Sequence, residues 1–172
     1  MSQTWFTADN HFSHFNIIKY ANRPFKSSEG MDYEIVRRYQ ERVNKEDTVY
    51  FIGDFSLRGA GYRNWYKKML ENLPGNKILI LGSHDELNPF MYVDVGFQSV
   101  HTFLDLQVSG HFQEHLHYYL HHDPAASIIA PDVTWLVGHV HTLFLRQKNC
   151  YNVGVDVHNF FPVSIDEVRE SL

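Results

Sequence analysis

Four short apolar runs punctuate the chain, and each one ends in a polar cluster. Trp5-Phe6-Thr7-Ala8 runs into Asp9-Asn10-His11, and Thr48-Val49-Tyr50-Phe51-Ile52 runs into Gly53-Asp54. Lys77-Ile78-Leu79-Ile80-Leu81 leads to Gly82-Ser83-His84-Asp85, and Val133-Thr134-Trp135-Leu136-Val137 to Gly138-His139-Val140-His141. β-Favouring apolar runs bounded by turn residues predict buried strands, which tolerate ionisable side chains only at their ends. Between them lie helical periods. Met31, Ile35, Tyr39 and Val43, widened by Val36, predict an amphipathic helix over 28–44, with Arg37, Arg38, Glu41 and Arg42 on its solvated face. Tyr62, Trp65, Tyr66, Met69, Leu70 and Leu73 predict a second core-facing helix, stopped by Pro74-Gly75.

Alternation from Val100 to Val108 predicts a half-buried strand. Leu116, Tyr118 and Leu120 predict its return in a hairpin turning at Ser109-Gly110, with His115, His117 and His121 facing water. The segment 12–25 lacks a period and reads as a loop with a short helical turn. Tyr151, Val153 and Val155 alternate as a strand, and Ser164-Ile165-Asp166-Glu167 has the spacing of a capping box before a last short helix.

Composition narrows this to one domain, 1–172, because a chain of 172 residues with 44% hydrophobic content can bury a single sizeable core. A net charge of −5 without blocks of like charge argues against a dedicated nucleic-acid-binding region or a membrane-adhering surface. The single cysteine, Cys150, excludes an internal disulfide, and neither a signal-peptide pattern nor an apolar run of transmembrane length is present, so the expected location is the cytoplasm. Twelve histidines are the compositional oddity. Imidazole is the commonest metal ligand and the usual proton carrier near neutral pH.

The strand ends gather those histidines with carboxylates. On an extended segment residues i and i+2 share a face, so Asp9 with His11, and His139 with His141, could each grip one ion. Asp54 follows a glycine that admits close approach, and its two oxygens can bridge two cations. Open α/β sheets collect ligands beyond the carboxyl ends of their strands, where these clusters could converge.

The ordered blocks Asp9-Asn10-His11, Gly53-Asp54, Gly82-Ser83-His84-Asp85, His122 and Gly138-His139-Val140-His141 resemble those of the calcineurin-like metallophosphoesterases. The segments Asn16-Ile17-Ile18, Asn22-Arg23-Pro24-Phe25 and Asn152 to Asp156 resemble the small bacterial and phage branch. The resemblance implies an α/β fold, a four-layer αββα sandwich of two mixed sheets flanked by helices. It implies two divalent transition-metal ions, manganese, iron or zinc, with a bridging hydroxide that attacks a phosphoester, and the expected substrate is a phosphodiester of a nucleotide or other small molecule. Asp9, His11 and His141 would hold the first ion, Asp54 would bridge, and Ser83, His122 and His139 would hold the second. Strand alternation does not separate His121 from His122; the family's His-x-Pro pattern favours His122. His84 would serve the leaving group with Asp85 as its orienter, and Arg23 and Arg58 are candidate phosphate clamps. The family carries Asn where this chain has Ser83, so the second ion should bind more weakly. A non-catalytic metal-binding or protein-interaction module on the same fold, or a weakened enzyme, is the alternative.

Overall fold

The computed structural model describes residues 2–109 and 115–172, so Gly110 of the expected turn lies outside the described residues. In chain order the elements are β1 (Thr4–Thr7), α1 (Phe15–Tyr20), α2 (Ser28–Arg42), β2 (Thr48–Ile52), α3 (Arg63–Glu71), β3 (Asn76–Ile80), α4 (Pro89–Val95) and β4 (Ser99–His101). There follow β5 (Leu104–Ser109), β6 (His115–Leu120), β7 (Thr134–Val137), β8 (Arg146–Gln147), β9 (Cys150–Asn152), β10 (Val163–Ser164) and α5 (Ile165–Ser171). One mixed sheet has the order β10-β1-β2-β3-β4, with β1 to β4 parallel; the other has the order β5-β6-β7-β9-β8, with β6, β7 and β9 parallel.

β2 is apolar throughout because both of its faces are covered. Val49 and Phe51 pack with Leu79 against α1 to α4, through Ile17, Met31, Ile35, Tyr39, Tyr66, Leu70 and Tyr92. Their neighbours Tyr50 and Ile52 turn the other way with Phe6 and Ile80, onto Leu106, Tyr118, Leu120, Leu136 and Tyr151 of the second sheet, where Ile165 and Val168 of α5 join the same layer. On the far side of the second sheet, Trp135, Val137 and Cys150 lie under Phe144 and the 3-10 segment Pro124–Ile129 with the adjoining Ala130. The architecture is therefore α/β, two mixed sheets flanked by helices, as the resemblance implies. α5 opens on the expected capping box, Ser164 Oγ accepting from Glu167 N–H while the Glu167 carboxylate accepts from Ser164 N–H.

Several expectations need correction. The stretch 100–108 is two strands, not one: β4 pairs with β3 in the first sheet and β5 with β6 in the second. Alternation survives a crossing between sheets, so the pattern cannot reveal the break. The final alternation stops early, at Asn152, where Ala8 and Gly154 form an isolated parallel bridge that ties the two sheets together. α4, capped by the Asn88 side chain, carries no signal in the pattern above. The arginines of α2 are not merely solvated, since Arg42 pairs with Glu167 and the Pro162 carbonyl, and Arg38 with Glu34 and the Asn159 carbonyl. Likewise His117 pairs with Asp105 at 2.8 Å. Among the described residues no helix is long and apolar enough to cross a membrane.

Candidate metal centre

The polar clusters at the ends of β1, β2, β6 and β7 meet at one edge of the sandwich, and the backbone there is not extended. Asp9, His11, Asp54, His139 and His141 all lie in the left-handed region, with φ of 55, 50, 54, 72 and 45°. Such a conformation costs about 1–2 kcal/mol for a side chain with a Cβ, less for Asp and His, so it persists only where neighbours over-determine it. The Asp9 N–H donates to Gly53 O (3.0 Å), the His11 N–H to Asp54 O (2.9 Å), and the His139 N–H to the Asp9 carboxylate (2.9 Å). The alternation rule applied to these clusters therefore fails, and His139 and His141 fall into different groups rather than on one side.

Asp9, His11 and His141 form one group and Asp54, His122 and His139 another, the ligand atoms of each lying within 4.8 Å of one another. Asp54 Oδ2 stands between them, 3.5 Å from His11 Nε2 and 3.3 Å from His122 Nε2. Both of those nitrogens are buried and, among the described residues, have no hydrogen-bond partner, as expected of atoms that could ligate a cation. The opposite ring nitrogens are anchored. His122 Nδ1 faces Ile52 O at 2.9 Å, His141 Nδ1 faces Asp156 Oδ2 at 2.8 Å, and His11 Nδ1 faces His14 Nδ1 at 3.4 Å. Anchoring Nδ1 fixes the tautomer that leaves Nε2 free to ligate. Mixed imidazole and carboxylate donors fit divalent transition ions.

Close packing leaves no room for a side chain at four glycines around the centre, Gly53, Gly82, Gly138 and Gly154. A Cβ on Gly82 would stand 2.3 Å from Asp54 Oδ1, and one on Gly53, itself at φ 83°, 2.3 Å from His122 Nδ1. The charges respond to this crowding. Burial pushes the Asp9 carboxyl up to about 6 despite the nearby His122 and His141. Burial alone would lower His122, but the Asp54 carboxylate, with Asp9 and the Ile52 carbonyl, outweighs it and raises the imidazole to about 9. Burial lowers His11, whereas Asp54 stays well below the usual carboxylate range because His122, the His84 N–H and His11 overcome its desolvation.

The other expected residues divide. Ser83 Oγ lies 3.4 Å from both Asp54 oxygens, at an exposed position beside the second group. His84 is exposed at the rim, its ring edge-on to His11 at 5.5 Å and its N–H donating to Asp54 Oδ1 at 2.9 Å. Asp85 does not orient it. The Asp85 carboxylate is buried and accepts from the N–H groups of Asp54 (2.7 Å), Gly82 (2.9 Å) and Phe55 (3.0 Å), so it shapes the loops that carry Asp54 and Ser83. His122 rather than His121 enters the centre; the His121 ring lies on the outer face against Trp135.

Arg23 is not a free phosphate clamp either. It is 5% exposed and binds Asp156 through Nε (2.8 Å) and Nη2 (2.9 Å), while Nη2 and Nη1 donate to the carbonyls of Asp9 (2.6 Å) and Asn10 (3.1 Å). Arg58 stacks over Tyr62 and Trp65, at 4.5 and 4.9 Å from their centroids, with its Nε buried and unpaired. Sequence reasoning gave no role to Asp156, which joins Arg23 to His141. The pairs are 133 and 15 residues apart, and no spacing rule connects them.

Known proteins bear on the fold and on the family. A solved structure of a protein of unknown function from Aquifex aeolicus superposes over the whole of both chains with a TM-score of 0.76 at 22% identity, a likeness of fold. An uncharacterised protein of Methanocaldococcus jannaschii is 31% identical over 177 residues, covering 96% of this chain and 89% of its own. The gene 66 protein of Mycobacterium phage D29 is 37% identical over 94 residues, which is 55% of this chain and 45% of the phage protein. The model of the calcineurin-like phosphoesterases matches residues 2–156, a span that holds both ligand groups and Asp156, and the chain belongs to that family.

Proposed function

We propose that the chain is a dinuclear metal-dependent phosphohydrolase acting on a phosphodiester. The observation that carries the reading is the position of Asp54 Oδ2, within 3.5 Å of an orphaned Nε2 in each ligand group, which is the place of a carboxylate shared by two cations. Two bound ions would supply Lewis acidity and an activated water at neutral pH. The chain's own residues do the rest. Asp9 and Asp54 set the charge, and Asp156 and Ile52 O hold the ligating rings in their tautomers. His84, exposed at the rim with its ring 5.5 Å from that of His11, would donate a proton or hydrogen bond to the departing oxygen.

The preference for a diester rests on charge. Two divalent cations exceed two carboxylates and a hydroxide by one positive charge, which suits a phosphodiester monoanion. A monoester dianion calls for a further cation, and Arg23 is already committed to Asp156. The test compares an aryl phosphodiester with an aryl phosphomonoester on manganese-loaded and chelated protein, alongside Asp54→Asn. Metal-dependent turnover favouring the diester, lost in Asp54→Asn together with the bound metal, is expected. Full turnover after exhaustive chelation would sink the reading.

A further inference from the structure

His14 belongs to neither ligand group, yet it stands against the metal centre. Its ring lies 5.4 Å from that of His11 and 6.4 Å from that of His84, and its N–H donates to His11 O at 3.0 Å. The position is built. His14 is the N-cap of α1 and follows Ser13, which adopts φ 62°. Asp32 pins Ser13, its carboxylate accepting both the backbone N–H and the hydroxyl at 2.9 Å. The exposed ring of Tyr20 then lies against His14 edge to face, with centroids 6.4 Å apart.

Tautomers dictate what a ring so placed can do. His11 directs Nε2 toward Asp54, so while Nε2 is a metal ligand the proton of His11 sits on Nδ1. The nitrogen facing that N–H, at 3.4 Å, is His14 Nδ1. A nitrogen that accepts carries no proton, so the proton of His14 is on Nε2. That edge of the half-exposed ring is engaged by no hydrogen bond among the described residues.

We propose that His14 is a positioning residue: its Nδ1 accepts from the Nδ1–H of His11 and holds that ring in the tautomer that presents Nε2 to a metal ion. The proposal rests on the metallophosphoesterase reading.

Two substitutions test this role. His14→Ala removes both nitrogens, whereas His14→Asn keeps a hydrogen-bonding amide near the Nδ1 position and nothing at Nε2. Calorimetric titration of manganese into metal-free protein reads the effect without turnover, and circular dichroism checks the fold. His14→Ala should weaken the first manganese site about tenfold, the low end of what supporting contacts contribute. His14→Asn should keep most of the manganese affinity, because an acceptor for the His11 Nδ1–H remains. Manganese affinity at the parental value in folded His14→Ala, or a loss in His14→Asn as large as in His14→Ala, overturns the proposal. A parent chain that binds no manganese overturns the function reading as well, so the two failures are distinguishable.

Discussion

Arg23→Met discriminates a structural staple from a substrate clamp. The Arg23 and Asp156 side chains are 0% and 2% exposed and joined by two hydrogen bonds of 2.8 and 2.9 Å. Methionine is close enough in size to leave little cavity, so the charge decides the outcome. Removing one partner of a buried ion pair costs about 3–5 kcal/mol, because the remaining carboxylate stays desolvated. The carbonyls of Asp9 and Asn10 lose donors as well. A net loss of about 4 kcal/mol follows, which for a domain of this size lowers Tm by roughly 8–16 °C. The measurement is urea unfolding in chelator, where metal cannot mask the change. Arg23→Met/Asp156→Leu should recover a substantial part of the loss, since no buried charge is left unpaired, yet it should bind the first metal ion poorly because His141 loses the acceptor on Nδ1. A stability change below about 1 kcal/mol, combined with weakened phosphate binding, would refute this reasoning and return Arg23 to the role of a clamp.

Three further outcomes follow from the same geometry. His122 is raised to about 9 and Asp9 to about 6 in the metal-free protein; a cation must expel protons held there, so metal affinity should rise with pH, by up to tenfold per unit per proton released. Between pH 6 and 9 calorimetry in buffers of different ionisation enthalpy should find at least one proton released on loading, and none at pH 7 would contradict the assignment of His122. Ser83→Asn should tighten the second ion by about tenfold and raise diester turnover, since an amide oxygen is a better ligand than the hydroxyl now 3.4 Å from Asp54; unchanged manganese stoichiometry and rate would remove Ser83 from the site. Gly53→Ala should destabilise by roughly 2–4 kcal/mol, because its Cβ would meet His122 Nδ1 at 2.3 Å and Gly82 Cα at 2.7 Å on a left-handed backbone; a chemical denaturation midpoint at the parental value would show that the loops simply shift.

What the sequence determined by itself is local in character. Burial of one or both faces imposes a period, so β2, β3, β7, α2 and α3 are legible from their apolar residues, and the capping box of α5 lies within four consecutive residues. The ligand residue types, too, stand at the strand ends in readable order. The tertiary structure decided everything that depends on which distant atoms meet. It divided 100–108 between two sheets, a choice made by hydrogen-bond partners that leaves the alternation untouched. It placed five residues of the two candidate ligand groups in left-handed backbone, so neighbours such as His139 and His141 fall into different groups. It also spent Arg23 and Asp85, which look like site chemistry in the sequence, on the Asp156 carboxylate and on three backbone N–H groups. A buried charge must find a partner wherever the fold provides one, and the chain separation of that partner is set by topology, to which no residue spacing gives access.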